Sequence, residues 1–161
     1  MTASAEFEIR PYRNSDASAT FAIFQDAVTV TASHDYSPEQ IAAWVGADRR
    51  DLADWDRTMS ARNSIVACMD GEIVGFSDVD SFGYIDMLFV SPRHGRQGVA
   101  TAMLARLHHT ARNAGATSLS ANVSITARPF FERHGFTVEA EQHPVLDGVR
   151  LNNFHMIKPL R

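Results

Sequence analysis

Apolar residues recur at two periods along this chain, and the changes of period mark its elements. Phe7-Glu8-Ile9-Arg10 alternates as a strand does and stops at Pro11. Asn14-Ser15-Asp16 offers capping side chains to a helix over about 16–31, with Phe21, Phe24 and Val28 on one side. Ser37-Pro38-Glu39-Gln40 starts a second helix: serine caps, proline takes the first helical position and glutamine completes a capping box. Ile41, Trp44 and Val45 form its buried side, and Gly46 ends it. Leu52, Trp55 and Met59 mark a third short helix. From Asn63 the period becomes that of strands. Runs 64–69 and 72–76 flank Asp70-Gly71, a strong hairpin signal, and a second reversal at 80–83 leads into a strand over 84–90.

That strand is broken at Ser91-Pro92 and followed by a basic, glycine-bearing loop, Arg93-His94-Gly95-Arg96-Gln97-Gly98. A helix then begins at Val99, with Met103 and Leu107 down one stripe. A strand, such a loop and a helix N-terminus together make an anion cradle, because unpaired N–H groups and the positive end of the helix dipole face the loop. Residues 118–123 form another strand and 127–134 a short helix ended by Gly135. Strands over 136–143 and 149–157 are joined through Pro144 and Asp147-Gly148. The expectation is a single α+β domain over 1–161, with helices packed on one central, mostly antiparallel sheet of about seven strands.

Composition narrows the function. With 161 residues, 45% hydrophobic and 21% charged, the chain is an ordinary globular protein with enough core to fold. A net charge of −4 disfavours a nucleic-acid binder and weakly suits an amine-bearing substrate. No apolar run approaches the ~20 residues that span a bilayer, so no membrane partner is expected. The opening MTASAEFEIR has neither the basic start nor the apolar centre of a signal peptide. The lone Cys68, in a strand, reads as a small buried apolar residue and suits a cytoplasmic protein. The seven histidines lack zinc spacing, so no metal is expected. Gly-Lys-Ser/Thr and Gly-x-Gly-x-x-Gly phosphate motifs are both missing.

The order of elements, the segment LFVSPRHGRQGVATAML and the later TARPFFERHGF resemble the GNAT acyl-CoA-dependent N-acetyltransferases, over nearly the whole chain. The resemblance implies a GNAT-like fold and acetyl-CoA as co-substrate. Its pyrophosphate loop falls on Gly95-Arg96-Gln97-Gly98-Val99-Ala100, where Gly98 and Ala100 match and Gly95 stands in place of glutamine or arginine. Arg93 and Arg96 replace that side chain's charge, and His94 and Thr101 flank the loop. Leu88, Phe89 and Val90 are implied to pair with the pantetheine arm, and a backbone N–H there to polarise the thioester. The family's tyrosine in the late helix, which protonates the leaving thiolate, is Phe131 here, beside Phe130; its asparagine seven positions earlier is Ser124.

Asp86 sits mid-strand among apolar residues, on one face with Tyr84 and Leu88 by the two-residue period. A structural carboxylate is one reading; a general base, its pKa raised by burial beside aromatics, is the other. Tyr84 or a water is then the acid. Tyr36 and Trp44 suit an aromatic wall or the core, and Asn153 and His155 alternate toward the acceptor. The expected activity is direct acetyl transfer in a ternary complex to a primary amine of a small molecule or peptide, by a monomer or homodimer. The competing reading is a non-catalytic acyl-CoA-binding module.

Overall fold

A computed structural model describes residues 7–160. The opening residues 1–6, on which most of the leader reading rests, lie outside it. The elements run β1 (Glu8–Pro11), α1 (Ala17–Asp26), α2 (Pro38–Val45), α3 (Leu52–Ala61), β2 (Ile65–Met69), β3 (Glu72–Ser77), β4 (Tyr84–Ile85) and β5 (Leu88–Val90). They continue with α4 (Val99–Asn113), β6 (Ser118–Ser124), α5 (Arg128–Arg133), β7 (Thr137–Gln142), β8 (Val145–Leu146), β9 (Val149–Arg150) and β10 (Asn153–Pro159).

Local signals act as their chemistry dictates. Ser37 Oγ accepts from the Gln40 N–H at 3.1 Å and Gln40 Oε1 accepts from the Ser37 N–H at 2.9 Å, so both halves of the capping box form. Ser37→Ala is expected to cost about 1 kcal/mol in urea unfolding, with an unchanged m-value. Asp70 and Gly71 both take positive φ, as a two-residue hairpin turn requires, and Met69 pairs with Glu72 across them. The expected helix over 16–31 is α1 only to Asp26; a π-helical turn at Ala27–Thr31 and a 3₁₀ turn at Ala32–His34 finish it. The expected strand over 149–157 is likewise two. Its first residues, β9, fold back on β8, and β10 belongs to the main sheet.

The expected single central sheet opens into two four-stranded halves, β1-β2-β3-β5 and β4-β6-β10-β7, with β8-β9 apart. The divide falls inside the stretch 84–90. β4 pairs parallel with β6, and β5 pairs antiparallel with β3. Two side chains at the end of β3 cause the break. Asp78 Oδ1 accepts the Asp86 N–H at 2.9 Å, which takes that N–H out of the ladder, and Ser77 Oγ donates at 2.6 Å to the Met87 carbonyl, which also accepts the Asp78 N–H at 3.2 Å. Helices cover both faces. Phe24, Trp55, Met59, Val66 and Phe76 make one core beneath α1 and α3. Leu104, Leu107, Leu119, Phe131, Phe136 and Met156 make another beneath α4 and α5. Cys68 is buried and free.

Candidate active site

The site follows from that fork. Because β5 hydrogen-bonds only β3, its other edge is unpaired and turns toward β6 across the gap. At the fork lies a cleft of about 160 Å³, its walls including Phe24, Trp44, Phe89 and Leu151 and its polar groups Arg50, Asp86, Asn122, Ser124 and Asn153. Beyond β5, a 3₁₀ turn at Pro92–His94 leads into the loop. Arg96 takes φ 61° and Gly98 φ 85°, and fifteen residues of helix follow from Val99. Left-handed residues in such a turn bring successive N–H groups into a concavity, to which the first N–H groups of α4 add. An elongated ligand with a diphosphate at one end and an amide arm at the other fits this pairing of nest and free strand edge.

The structure distributes the expected cofactor residues unevenly. Gln97 and Gly98 are exposed in the loop with Arg96, and Ala100 and Thr101 open the helix, but Val99 is 1% exposed and packs inward. Arg93 reaches Glu72 at 3.2 Å, an exposed ion pair of little worth that leaves the arginine available. His94 is partly buried, and its Nδ1 has no hydrogen-bond partner. Thr101 Oγ1 lies 3.2 Å from His134 Nε2, while His134 Nδ1 lies 2.8 Å from the Phe130 carbonyl. Nδ1 must donate to that carbonyl, so in neutral His134 Nε2 accepts the Thr101 hydroxyl. Leu88, Phe89 and Val90 are half-buried along the free edge. Ser124 Oγ accepts the Ala127 N–H at 3.0 Å, which leaves its own hydrogen free to donate toward the cleft. Phe131 is 4% exposed and stands edge-on to Phe130 and Phe136, inside the core.

Among the candidate catalytic groups, Asp86 lines the cleft, but its surroundings differ from the sequence reading. It is not closed in by aromatics: its side chain is 31% exposed and ion-paired with Arg62. The break after Ile85 also ends the alternation that would put Tyr84, Asp86 and Leu88 on one face. The buried carboxylate is instead Asp78, 3% exposed, with Oδ2 unpartnered. Burial pushes its pKa up to about 6, an effect its bond from the Asp86 N–H opposes and the Asp86 charge reinforces.

Between the ordinary 3.8 and about 6, the folded chain therefore holds a proton at Asp78 that the unfolded chain has lost. Stability falls as pH rises through that window and levels off above it, a change on the order of 1–3 kcal/mol. Asp78→Asn is expected to flatten this slope and to raise the urea midpoint near neutral pH. A slope surviving in the variant assigns the titration elsewhere.

Tyr84 stands beside the cleft rather than in its wall. Its oxygen accepts from Asn122 Nδ2 at 3.3 Å, and Asn122 Oδ1 in turn lies 3.0 Å from His155 Nδ1. Burial first, and the Asp86 charge second, raise the Tyr84 pKa, so the phenol keeps its proton. Tyr36 is locked by its hydroxyl, which accepts the Ile125 N–H at 3.0 Å and donates to the Asn152 carbonyl; its ring stands edge-on to Trp44 at 5.4 Å. Asn153 lines the cleft, and His155 reaches it only through Asn122. Sequence reasoning missed Arg50, Arg62, Asp78 and Asn122. For Asn122 a signal existed, since it sits two residues before Ser124 on the same face of β6. The three others come from the residues flanking α3 at either end and from the end of β3, with no pattern tying them to the fork.

Residues 32–158 match the family described as an acetyltransferase (GNAT) domain. The chain is 40% identical over 150 residues to the uncharacterized N-acetyltransferase YafP of Escherichia coli (strain K12), covering 92% of this chain and 93% of that protein. Among solved structures it resembles a GCN5-related N-acetyltransferase from Rhodopseudomonas palustris, also named there Aminotransferase, Class-II, with TM-score 0.93, 31% identity and 99% of each chain covered. YncA of Salmonella typhimurium, solved with acetyl-CoA, superposes with TM-score 0.72 at 21% identity over 98% of this chain and 95% of that one, a likeness of fold.

Proposed function

This chain belongs to the GNAT acetyltransferase family, and from that premise we propose that its 161 residues act as one domain moving an acetyl group directly to a primary amine in a ternary complex. It is an acetyl-CoA-dependent N-acetyltransferase; the acceptor class and the residue roles are what the proposal adds. One observation carries it: the fork between β4 and β5 sets a free strand edge, a carboxylate and a cleft with aromatic walls beside one another.

Acetyl-CoA supplies an acetyl group activated as a thioester. The N–H groups of Arg96–Ala100 hold the diphosphate, with Arg93 and Arg96 adding charge, and the β5 edge takes the amide arm. A backbone N–H of Leu88–Val90 stabilises negative charge at the carbonyl oxygen. Asp86 takes the first proton from the incoming ammonium, directly or through water, so that a neutral amine forms the N–C bond as the C–S bond breaks, and the second proton left on that nitrogen passes through water to replace the one given to the thiolate. Tyr84 supports the leaving side. Its oxygen accepts from Asn122 and its hydroxyl keeps a proton to give, directly or through water, to the thiolate. A thiolate leaves readily near neutral pH, so a phenylalanine at position 131 is compatible with turnover.

Release of free coenzyme A with polyamines, amino acids, aminoglycosides and peptides tests this reading. Turnover with at least one class is expected. Tight acetyl-CoA binding with no release on any of them would favour a binding module.

A further inference from the structure

We propose that the acceptor is a free amino acid with an apolar side chain, its carboxylate received by Arg50 and its amine presented to Asp86 and Asn153. This rests on the acetyl-transfer reading and deepens it.

Two residues that line the cleft carry buried polar atoms of opposite kind with no partner. Arg50 Nε is buried without a hydrogen-bond partner, and Asn153 Oδ1 is buried without a donor. Both line the same cleft, together with Asp86. The other arginines nearby are committed: Arg49 to Asp147 and Arg62 to Asp86. Arg50 has no carboxylate within 4.0 Å among the described residues; its guanidinium lies over the Phe24 ring at 4.7 Å. A half-buried guanidinium held against an aromatic face and left without an anion is costly, and a planar carboxylate meets its fork with two parallel hydrogen bonds.

Coenzyme A does not supply that anion. Its phosphates belong to the nest beyond β5, and the strand between spans roughly 3.3 Å per residue. The pantetheine arm that reaches the fork is uncharged. With Asp86 already neutralised by Arg62, the cleft is left one positive charge in excess and favours an amine that carries an anion beside it.

Size and walls decide the rest. At about 160 Å³ the cleft falls below the roughly 300–1,000 Å³ of pockets for drug-sized ligands, which suits one amino acid and not an aminoglycoside. Trp44, Phe89 and Leu151 face it with apolar surface, so the side chain it accepts is apolar.

Coenzyme A release with leucine against 3-methylbutylamine, and phenylalanine against phenethylamine, compares amines that differ only in the carboxylate. The expected preference is about 10- to 100-fold in kcat/KM for each amino acid, expressed mainly in KM. Arg50→Gln should bring both ratios close to one, and Arg50→Lys, which keeps the charge without the fork, should restore part of the preference. Equal or better turnover of the two decarboxylated amines overturns the proposal, as does an Arg50→Gln loss equal for both members of a pair. Calorimetric binding of leucine and of 3-methylbutylamine to the protein saturated with coenzyme A reads the same selectivity without chemistry. Selective leucine binding with no turnover would therefore uphold the carboxylate site while the transfer reading fails. Absence of leucine binding and turnover alike overturns the carboxylate site itself.

Discussion

Asp86→Asn is expected to lower kcat by about 10²- to 10⁴-fold, the usual contribution of a positioned general base, with acetyl-CoA affinity nearly unchanged. Asp86 lines the cleft at the fork, and its partner Arg62 holds it there while leaving nearly a third of its side chain exposed. An amine is a nucleophile only once its proton has gone, and no other carboxylate lines the cleft among the described residues. Asparagine keeps the shape and removes the basic oxygen. The discriminating measurement sets kcat beside the acetyl-CoA binding constant: the first should fall and the second should hold. Asp78 accepts the Asp86 N–H and so fixes the backbone at that position, which makes Asp78→Asn the companion variant. A twofold or smaller loss in Asp86→Asn would remove Asp86 from the mechanism.

The second large effect concerns the loop. Gly98→Ala should weaken acetyl-CoA binding about tenfold or more, while Gly115→Ala at the other end of α4 should leave it unchanged. The pair is matched: φ is 85° at Gly98 and 87° at Gly115, so each alanine meets similar backbone strain. Neither is crowded, since a Cβ at Gly98 would meet only the Phe7 ring at 3.8 Å and one at Gly115 nothing within 4 Å. Both variants should therefore lose about 1 kcal/mol or more in urea unfolding. At Gly98 the chain relieves strain by turning the N–H groups that open α4 away from the diphosphate, and about 1.4 kcal/mol of lost contact is a factor of ten. Equal binding constants in the two variants would place the diphosphate elsewhere.

Much of the fold was legible because local chemistry and tertiary packing agree. The capping box at Ser37–Gln40, the Asp70-Gly71 turn and the apolar stripe of α4 each specify their element without help from distant residues. The loop at 95–100 was legible for the same reason, since its glycine and the following helix are contiguous in the chain. The stretch 84–90 misled. Its apolar run reads as one strand, because nothing within it shows that Asp78 takes the Asp86 N–H and Ser77 binds the Met87 carbonyl. Helix 16–31 was overread similarly: its apolar spacing persists while its hydrogen bonds widen to a π turn at Ala27–Thr31.

The sequence alone determined most of the elements, the family and the glycine-bearing loop ahead of α4, all of which depend on neighbours along the chain. Tertiary structure decided where the sheet forks, which carboxylate is buried and which arginine is left unpaired in the cleft. Those outcomes depend on Asp78, Arg50, Arg62 and Asn122 meeting from four separate segments, and burial and charge balance exist only once such segments are packed together.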